Sequence, residues 1–192
     1  MFDPREYWEA RYAEGGGSGR GSRGRQANRK AAAINRIIAR FKVQTVVDWG
    51  CGDGVVAARI RAPRYIGLDV SPTAIELCRV AVAAGSVREW HVFDGMEAPP
   101  GICGDLALSL DVIFHLTDEA LYRRHLELLF ASAPMVCITS SNRDEAGMAH
   151  VLHRQFLGDI PAGWKVVIRP RPEVDGDIGL WLFRRHRRKR AG

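Results

Sequence analysis

The chain has 192 residues, of which 46% are hydrophobic, and this length and composition are typical of a single globular domain. The sequence contains no apolar run long enough for a membrane span, so we expect no transmembrane helix. The N-terminal stretch MFDPREYWEARY is polar and lacks the apolar core of a secretory signal, which predicts a cytoplasmic protein.

The net charge of +6 is concentrated at the C-terminus. No acid follows Asp177, and removing the tail cations leaves the rest of the chain neutral, because a second basic cluster at 20–30 is offset by acids elsewhere. Such a tail either stays solvated, which we favour, or holds phosphates, which keeps nucleic acid as an alternative partner. The tail cations are Arg184, Arg185, Arg187, Arg188, Lys189 and Arg190.

The cysteines include no CxxC pair, and each lies in or near an apolar segment. This pattern predicts buried, reduced thiols in a cytosolic protein rather than a disulfide framework. The four positions are Cys51, Cys78, Cys103 and Cys137.

The first 44 residues predict two helices joined by a flexible segment. Residues 5–14 form a short helix rich in aromatic side chains. Glycine then occupies six of the eleven positions from 15 to 25, which predicts a segment without regular structure unless a contact orders it. The apolar residues between 26 and 41 recur at helical spacing and predict the second helix.

From residue 45 onward, predicted strands alternate with predicted helices. This alternation predicts βαβ units and a parallel sheet, and Ser71 is the expected N-cap before Pro72. The turn-rich RPRPEVDGD between the last two strands predicts a hairpin that places one antiparallel strand in the sheet. The strands are 45–49, 65–70, 87–93, 105–110, 135–139, 164–169 and 178–185, and the helices are 55–61, 72–84, 118–131 and 148–157.

The strongest motif is VVDWGCGDG at 46–54, in which an apolar strand ends at Asp48 and glycines follow at 50, 52 and 54. Glycines allow a sharp turn from strand to helix and a close approach of a cofactor to the bare backbone. Asp69 ends the next strand in YIGLDVS, 21 residues after Asp48, a spacing that suits the hydroxyls of a ribose.

The pattern DxGxGxG differs from the dinucleotide fingerprint GxGxxG, and no GK[ST] follows it as in a phosphate-binding loop. Asp48 would repel a pyrophosphate, whereas it would attract the cationic methionine end of S-adenosylmethionine (SAM). The motif therefore favours SAM among the adenosine cofactors.

VVDWGCGDG, GLDVS and the later LALSLDVIFHL resemble the successive motifs of the class I SAM-dependent methyltransferases, from about Tyr7 to Phe183. The opening YWEARYAEGGGSGRGSRGR is similar to the N-terminal lid of small bacterial members. The resemblance implies one α/β domain with three αβα layers and a Rossmann-like sheet of about seven strands, mostly parallel, with an antiparallel C-terminal strand. Within it, 1–30 would form the lid, 31–183 the core and 184–192 the basic tail.

The resemblance also implies the cofactor site. The glycine turn would line the methionine moiety, Asp69 would bind the ribose, and Asp94 would meet the adenine. Only ten residues, 94–103, join the third and fourth strands, so we expect the usual helix there to be very short or missing. The cofactor residues are Asp48, Gly50, Cys51, Gly52, Gly54, Asp69, Val70, Asp94, Gly95, Met96, Ser109 and Leu110, with Trp8 and Tyr12 from the lid.

His115 in SLDVIFHL is the candidate general base, because it follows the fourth strand at the edge where such sheets bind ligands. Asp111 is the second candidate, and the alternative is that His115 only orients the loop.

Polar residues after the fifth strand and on the predicted helix 148–157 would bind a substrate, or serve as plain turn residues. They are Ser141, Asn142, His150, His153 and Arg154. No acid or cysteine lies at ligand spacing from the histidines, so we predict no metal site.

Three functions remain open. A small-molecule methyltransferase acting at oxygen or nitrogen is favoured, since the chain is a bare catalytic domain. An RNA or protein methyltransferase is the alternative, although no [DN]PP[YF] or Pro-Cys motif is present. A non-catalytic SAM or nucleotide sensor is the third. The sequence leaves two interpretations of the N-terminal segment. It either forms a lid over SAM, or it consists of a core-packing helix followed by a linker.

Overall fold

The computed structural model describes residues 2–81, 87–170 and 178–186. Within this part of the chain, four α-helices and nine strands alternate broadly as the sequence predicts. The helices are α1 (Pro4–Ala13), α2 (Gly24–Phe41), α3 (Pro72–Ala81) and α4 (Glu119–Ser132). The strands are β1 (Thr45–Trp49), β2 (Arg64–Asp69), β3 (Val87–Val92), β4 (Leu106–Leu110), β5 (Met135–Ser140), β6 (Glu145–Ala146), β7 (Leu152–His153), β8 (Trp164–Ile168) and β9 (Gly179–Arg185).

Seven of the described strands form one sheet in the order β3-β2-β1-β4-β5-β9-β8. The first five run parallel, and β9 is antiparallel to both β5 and β8. The predicted α/β class, the strand number and the reversed C-terminal strand are confirmed. The strand order changes direction between β1 and β4, and ligands of open α/β sheets bind outside the carboxyl ends of the strands at such a point.

Helices cover both faces of the sheet. Neighbouring residues of a strand point to opposite faces, and the central strands are apolar at both sets of positions, so each face needs a covering layer. On one face, Val46 and Leu108 pack with Ile34 and Ile37 of α2. On the other face, Val47 packs with the apolar stripe of α4, which consists of Tyr122, Leu126, Leu129 and Phe130. Every residue of β4 and β5 is buried, as expected for strands covered on both sides.

Side-chain caps define where three of the helices begin. Asp3 accepts hydrogen bonds from the first backbone N–H groups of α1, and Asp118 accepts one from Leu121 of α4. The Ser71 hydroxyl accepts the N–H of Ala74, so the predicted cap of α3 is confirmed. Such caps satisfy N–H groups that lack a partner within the helix.

The predicted helix 55–61 is reduced to one 3₁₀ turn at Ala57–Arg59. Pro63 follows closely, and the residue before a proline is disfavoured in the helical conformation. The predicted helix 72–84 is seen as far as Ala81, and 82–84 lie outside the described residues. Residues 93–105 form no helix, which confirms the short connection between β3 and β4.

The predicted helix 148–157 is wrong. Its first half forms the turn and second strand of a small hairpin in which β6 pairs with β7, closed by a hydrogen bond from the Gly147 N–H to the Val151 carbonyl. Asp144 holds the end of the hairpin by accepting both the backbone and the side-chain amide of Gln155. Met148 is 70% exposed, so the segment lacks the continuous buried stripe that stabilises a surface helix.

Cys51, Cys78 and Cys137 are buried, whereas Cys103 is exposed, contrary to the expectation that all four would be buried. No helix among the described residues is long and apolar enough to cross a membrane. Most of the predicted basic tail, residues 187–192, lies outside the described residues.

Candidate functional site

A cavity of about 620 Å³ lies at the carboxyl ends of β1, β2 and β4. Its floor is the turn after β1 and the residues that follow the other two strands. Its cover is α1 together with part of the glycine-rich segment, and Trp8, Tyr12 and Ser18 are in the lining. The predicted site residues that line it are Trp8, Tyr12, Asp48, Gly50, Cys51, Gly52, Asp69, Val70, Asp94, Gly95, Leu110, Asp111 and His115.

The glycine turn needs glycine for two physical reasons. Gly50 and Gly52 have φ angles of +88° and +58°, which other residues rarely adopt. A Cβ on Gly52 would also collide with the Ser18 hydroxyl. Gly54 does not line the cavity, because its Cα faces Cys78 of α3, whose Sγ would lie 3.0 Å from an added Cβ.

Asp48 is fully enclosed, and one of its oxygens lacks a partner. The Tyr65 hydroxyl donates to Oδ2, whereas Oδ1 has no hydrogen-bond partner among the described residues. Burial raises the pKa of Asp48 to about 6, since a carboxylate loses hydration there. An unpartnered buried carboxylate oxygen on a cavity wall is suited to a cationic ligand group.

Asp69 lies at the end of β2, where its carboxylate is fixed by the backbone. Oδ2 accepts the Gly52 N–H at 2.9 Å, and Oδ1 accepts the Ser71 N–H at 3.0 Å. Burial raises the pKa of Asp69 to about 6, against the opposing effect of these hydrogen bonds. Each oxygen retains a second acceptor position, so the carboxylate can receive two neighbouring hydroxyl groups.

Besides Gly54, two predicted cofactor residues lie outside the cavity lining. Met96 is 41% exposed, and its N–H is one of two that Asp94 accepts. Ser109 is buried behind the wall, where its hydroxyl contacts His125 Nε2 at 2.9 Å. Burial lowers the pKa of His125 to about 4, so this cavity-lining ring is neutral at physiological pH.

His115 ends a 3₁₀ turn after β4 and lies on the cavity wall. Its Nδ1 is 2.9 Å from the carbonyl oxygen of His150. A carbonyl can only accept, so Nδ1 carries the proton and the neutral ring has its lone pair on Nε2. Burial lowers the pKa of His115, which favours this neutral form.

Asp111 lines the cavity but is engaged at both carboxylate oxygens. The Thr139 hydroxyl donates to Oδ1 at 2.6 Å, and Lys30 of α2 forms an ion pair with Oδ2. Thr139 also accepts the Asp111 N–H, which supports the unusual φ of +60° at this residue. Compared with His115, Asp111 is therefore poorly placed to take up a proton.

The predicted substrate residues do not line the cavity. Ser141 contacts His153 Nδ1 at 2.8 Å, and Asn142 accepts the N–H of Leu157. Arg154 donates to the carbonyls that follow His115 in the chain. These contacts brace the loop behind His115, and His150 supplies the carbonyl that holds its ring.

Residues 15–23, here called the strap, are ordered by contacts with the glycine turn. Asp53 accepts the Ser18 N–H at 3.2 Å and the Arg23 guanidinium at 2.8 Å. The Asp53 N–H donates in turn to the Ser18 hydroxyl, and Arg11 donates to the Gly17 carbonyl. Sequence reasoning missed Asp53, although an acid inside the glycine motif was a visible signal.

Helix α1 is fastened to the core by Glu9. Its carboxylate accepts the hydroxyls of Ser71 and Thr73 at 2.5 and 2.6 Å and the Thr73 N–H at 3.2 Å. These hydrogen bonds lower the pKa of Glu9. The start of α3 therefore holds α1 across the cavity.

The residues present fit a SAM-sized ligand. The unpartnered Asp48 oxygen suits its cationic end, the bare turn at Gly50 and Gly52 admits close contact, and Asp69 suits a ribose. Among the described residues, no group of three or more His, Cys, Asp or Glu side chains is placed to hold a metal ion.

Residues 47–127 match the family model described as a methyltransferase domain. Ribosomal protein L11 methyltransferase of Vibrio campbellii is 31% identical over 70 residues, which are 34% of this chain and 24% of that protein. The chain thus spans about a quarter of the length of that relative.

Two solved structures show the same fold. N-methyltransferase NodS from Bradyrhizobium japonicum WM9, in complex with S-adenosyl-L-homocysteine (SAH), superposes with a TM-score of 0.76 at 16% identity, covering 96% of this chain and 99% of its own. SAM-bound CalS10, an amino pentose methyltransferase from Micromonospora echinaspora, gives 0.64 at 18% identity over 96% and 98%.

The matched segment contains the glycine turn, Asp69 and the end of β4, which are the parts of the chain that build the cavity floor. Residues 47–127 therefore match the methyltransferase domain model, within a chain that shares its fold with these two solved methyltransferase structures.

Proposed function

We propose that the protein transfers the methyl group of SAM to a nitrogen or oxygen of a small molecule, with His115 as the general base. The observation that carries this proposal is the His115 Nδ1–H···O=C contact with His150. It leaves Nε2 as the basic nitrogen of a ring that lines the cavity.

When bound, SAM supplies an electrophilic methyl group on an excellent leaving group. The protein's task is to orient the partners and to exclude water. With SAM bound, the Asp69 carboxylate would accept the ribose hydroxyls, and Asp48 would hold the cationic methionine end. The backbone at Gly50 and Gly52 would line the methionine chain.

The charge of the cavity favours an amine as the acceptor. Seven carboxylate residues line it, whereas Arg5 is the one Lys or Arg side chain in the lining that the structure describes. A phosphorylated acceptor would be repelled by this field, and a protonated amine would be attracted. NodS and CalS10 are named as methyltransferases of nitrogen and of an amino pentose, which agrees with this choice. The carboxylates belong to Asp3, Glu6, Asp48, Asp69, Asp94, Asp111 and Asp118.

A protonated amine must lose a proton before it can attack a methyl group. His115 Nε2 takes that proton, and general-base catalysis typically contributes roughly 100- to 10,000-fold in rate. We expect His115→Ala to reduce turnover by about that factor while SAM affinity measured by calorimetry stays the same. His186→Ala is the control, because that histidine is exposed and lies beyond β9.

The test is methyl transfer from radiolabelled SAM to panels of amines, hydroxyl compounds, RNA and protein. Amine labelling by the wild type that His115→Ala loses supports the proposal. Labelling of RNA or protein in preference to small molecules overturns the acceptor class. Failure to bind SAM at millimolar concentration overturns the whole proposal.

We further propose that α1 and the strap act as a lid that shields the bound cofactor from water. The contacts of Ser18 with Asp53 and of Glu9 with the start of α3 support this role. SAM should slow hydrogen exchange in residues 7–30, measured by mass spectrometry. Equal exchange with and without SAM would leave α1 as a core-packing helix.

A further inference from the structure

Three aromatic contacts connect α1 to His115. The Trp8 ring meets the His115 ring edge-on, with centroids 5.1 Å apart and planes at 81°. The rings of His115 and His150 are stacked, with centroids 5.8 Å apart and planes at 11°. Tyr7 also stacks on His150, with ring centroids 4.8 Å apart and planes at 19°.

We propose that α1 sets both the orientation and the proton affinity of His115, so that the base is complete only when Trp8 and Tyr7 are in place. His150 is the positioning residue through which Tyr7 acts. This proposal rests on the proposed role of His115 as the base. It makes α1 a part of the catalytic machinery as well as a cover for the cofactor.

Orientation comes through the stack. His150 belongs to the turn between β6 and β7, and its carbonyl accepts the His115 Nδ1–H. Its ring stacks on both Tyr7 and His115, and Phe2 adds a further contact with centroids 6.2 Å apart. Tyr7 therefore holds the ring of the same residue whose backbone fixes the His115 tautomer.

Proton affinity comes through shielding. Trp8 and Phe114 cover the ring of His115, and burial is the main effect that lowers the pKa of His115. Loss of the Trp8 ring would admit water and move this pKa upward, toward the ordinary histidine value of about 6.5. A base with a higher pKa remains protonated up to a higher pH, and a protonated base cannot accept a proton. The acid limb of the profile of activity against pH therefore moves to higher pH.

Other charged groups face His115 from the neighbouring elements. His150 and His153 oppose its protonation, whereas Asp111 after β4 favours it. Asp111 is itself paired with Lys30 of α2, and Arg154 binds the carbonyls of Leu116 and Thr117. None of these side chains belongs to α1, so exchanging Trp8 leaves them in place. Within α1, the Arg11 guanidinium lies over the Trp8 ring, 5.8 Å from its centroid, so Trp8→Ala removes this contact together with the shielding.

The anchor of α1 is separate from the aromatic contacts. Glu9 binds Ser71 and Thr73 at the start of α3. Variants at Trp8 and Tyr7 therefore keep the helix attached. Trp8→Phe, which preserves an aromatic ring, serves as the second variant if Trp8→Ala is poorly folded.

The decisive measurement is the NMR titration of the His115 Cε1–H, assigned by its loss in His115→Gln. Trp8→Ala should raise the pKa of His115, and the acid limb of kcat/KM for the acceptor should move by the same amount. Tyr7→Ala should lower kcat about tenfold, a small part of a general-base contribution, with little change in KM for SAM. Tyr7→Phe, which keeps the stacked ring, should restore kcat.

An unchanged His115 titration in a folded Trp8 variant overturns this inference, even if His115→Ala loses turnover. A Tyr7→Ala variant with wild-type kcat overturns the positioning role of His150. Turnover retained by His115→Ala instead overturns the proposed function, and the titration does not depend on that result. The two failures are thus distinguishable.

Discussion

Asp48 and Asp69 are two carboxylates at the bottom of one cavity, both enclosed, and burial raises the pKa of each to about 6. Neither is neutralised by an ion pair among the described residues. Their hydrogen bonds from Tyr65, Gly52 and Ser71 are what allows them to remain ionised near neutral pH. The binding chemistry of the site is therefore sensitive to pH.

The affinity for SAH should fall as the pH drops below about 6, because a protonated Asp69 can no longer accept two ribose hydroxyls at full strength. Calorimetric titration between pH 5 and 8 measures this. Asp69→Asn should weaken binding at pH 8 and flatten the dependence on pH. A wild-type affinity that is constant over this range would contradict the assignment of Asp69 to the ribose.

Asp48→Asn should make the cofactor-free protein more stable at pH 8. The folded-state pKa of Asp48 is raised above its ordinary value, so its stabilising effect is present below about pH 4 and is lost as the pH rises through about 6. Removing the charge should recover about 1 to 3 kcal/mol at pH 8, measured by urea unfolding. No gain should be seen at pH 4, and SAM binding should weaken. A loss of stability at pH 8 would show that the carboxylate is stabilising.

Asp48 and Asp69 could be predicted from the sequence because each ends an apolar strand next to glycines. The ion pair between Lys30 and Asp111 could not be predicted from the sequence. Strands β1 to β4 lie between the two residues in the chain, and the residues come together only when α2 packs near the end of β4. The contacts of Ser141, Asn142 and Arg154 could not be predicted from the sequence either. A polar side chain at the correct edge of a sheet can bind a substrate or brace a loop, and spacing alone does not distinguish them.

At the scale of elements, the strap explains why this segment is rich in glycine. Added Cβ atoms on Gly17 and Gly21 would collide with Arg23 and Asp111, respectively. Gly21 thus lies directly over the Asp111 side of the Lys30 ion pair. The Arg23 side chain is 54% exposed and can move away from an added atom, whereas Thr139 and Lys30 hold the Asp111 carboxylate. Gly21 is therefore required by close contact, in addition to the flexibility that the sequence predicts.

Gly21→Ala should weaken SAM binding about tenfold, because the new methyl group forces the strap away from Asp111 and overpacking typically costs about 1 to 3 kcal/mol. Stopped-flow tryptophan fluorescence should show faster release. Gly158→Ala is the matched control, since an added Cβ there meets no atom within 4 Å. Equal release rates for the two variants would show that strap contact does not retain the cofactor.

The strands could be predicted from the sequence because buried parallel strands are apolar on both faces, as in β4 and β5. The helix predicted at 148–157 failed because its apolar residues serve different neighbours. Phe156 packs under Trp181 and Phe183, whereas Val151 closes a turn against Gly147. Helical spacing does not reveal such divided packing.

For the whole molecule, the order of the sheet follows from general rules once the elements are known. Right-handed βαβ connections and a C-terminal hairpin lead to the observed arrangement, with the site at the switch point between β1 and β4. The position of α1 over this switch point does not follow from those rules. It depends on Glu9 and the strap, whose partners lie far away in sequence.

SAM should raise the melting temperature of the protein, because it binds residues from β1, β2, β4 and α1 that unfolding separates. At 100 times its Kd, a ligand adds about 2.7 kcal/mol, which corresponds to roughly 5 to 10 °C for a chain of this size. Differential scanning calorimetry with SAM, SAH and NAD provides the measurement. A comparable rise with NAD would contradict the choice of cofactor.

The two sides of the cavity come from separate stretches of the chain. Its floor is assembled from strand ends, the loops after them and part of α4, dispersed between residues 48 and 125, whereas its cover is one continuous N-terminal piece that ends at Ser22. Residues 2–23 can therefore be exchanged as one continuous piece without altering the residues of the floor. The exchanged piece must keep the glutamate that binds the start of α3 and the serine and arginine partners of Asp53.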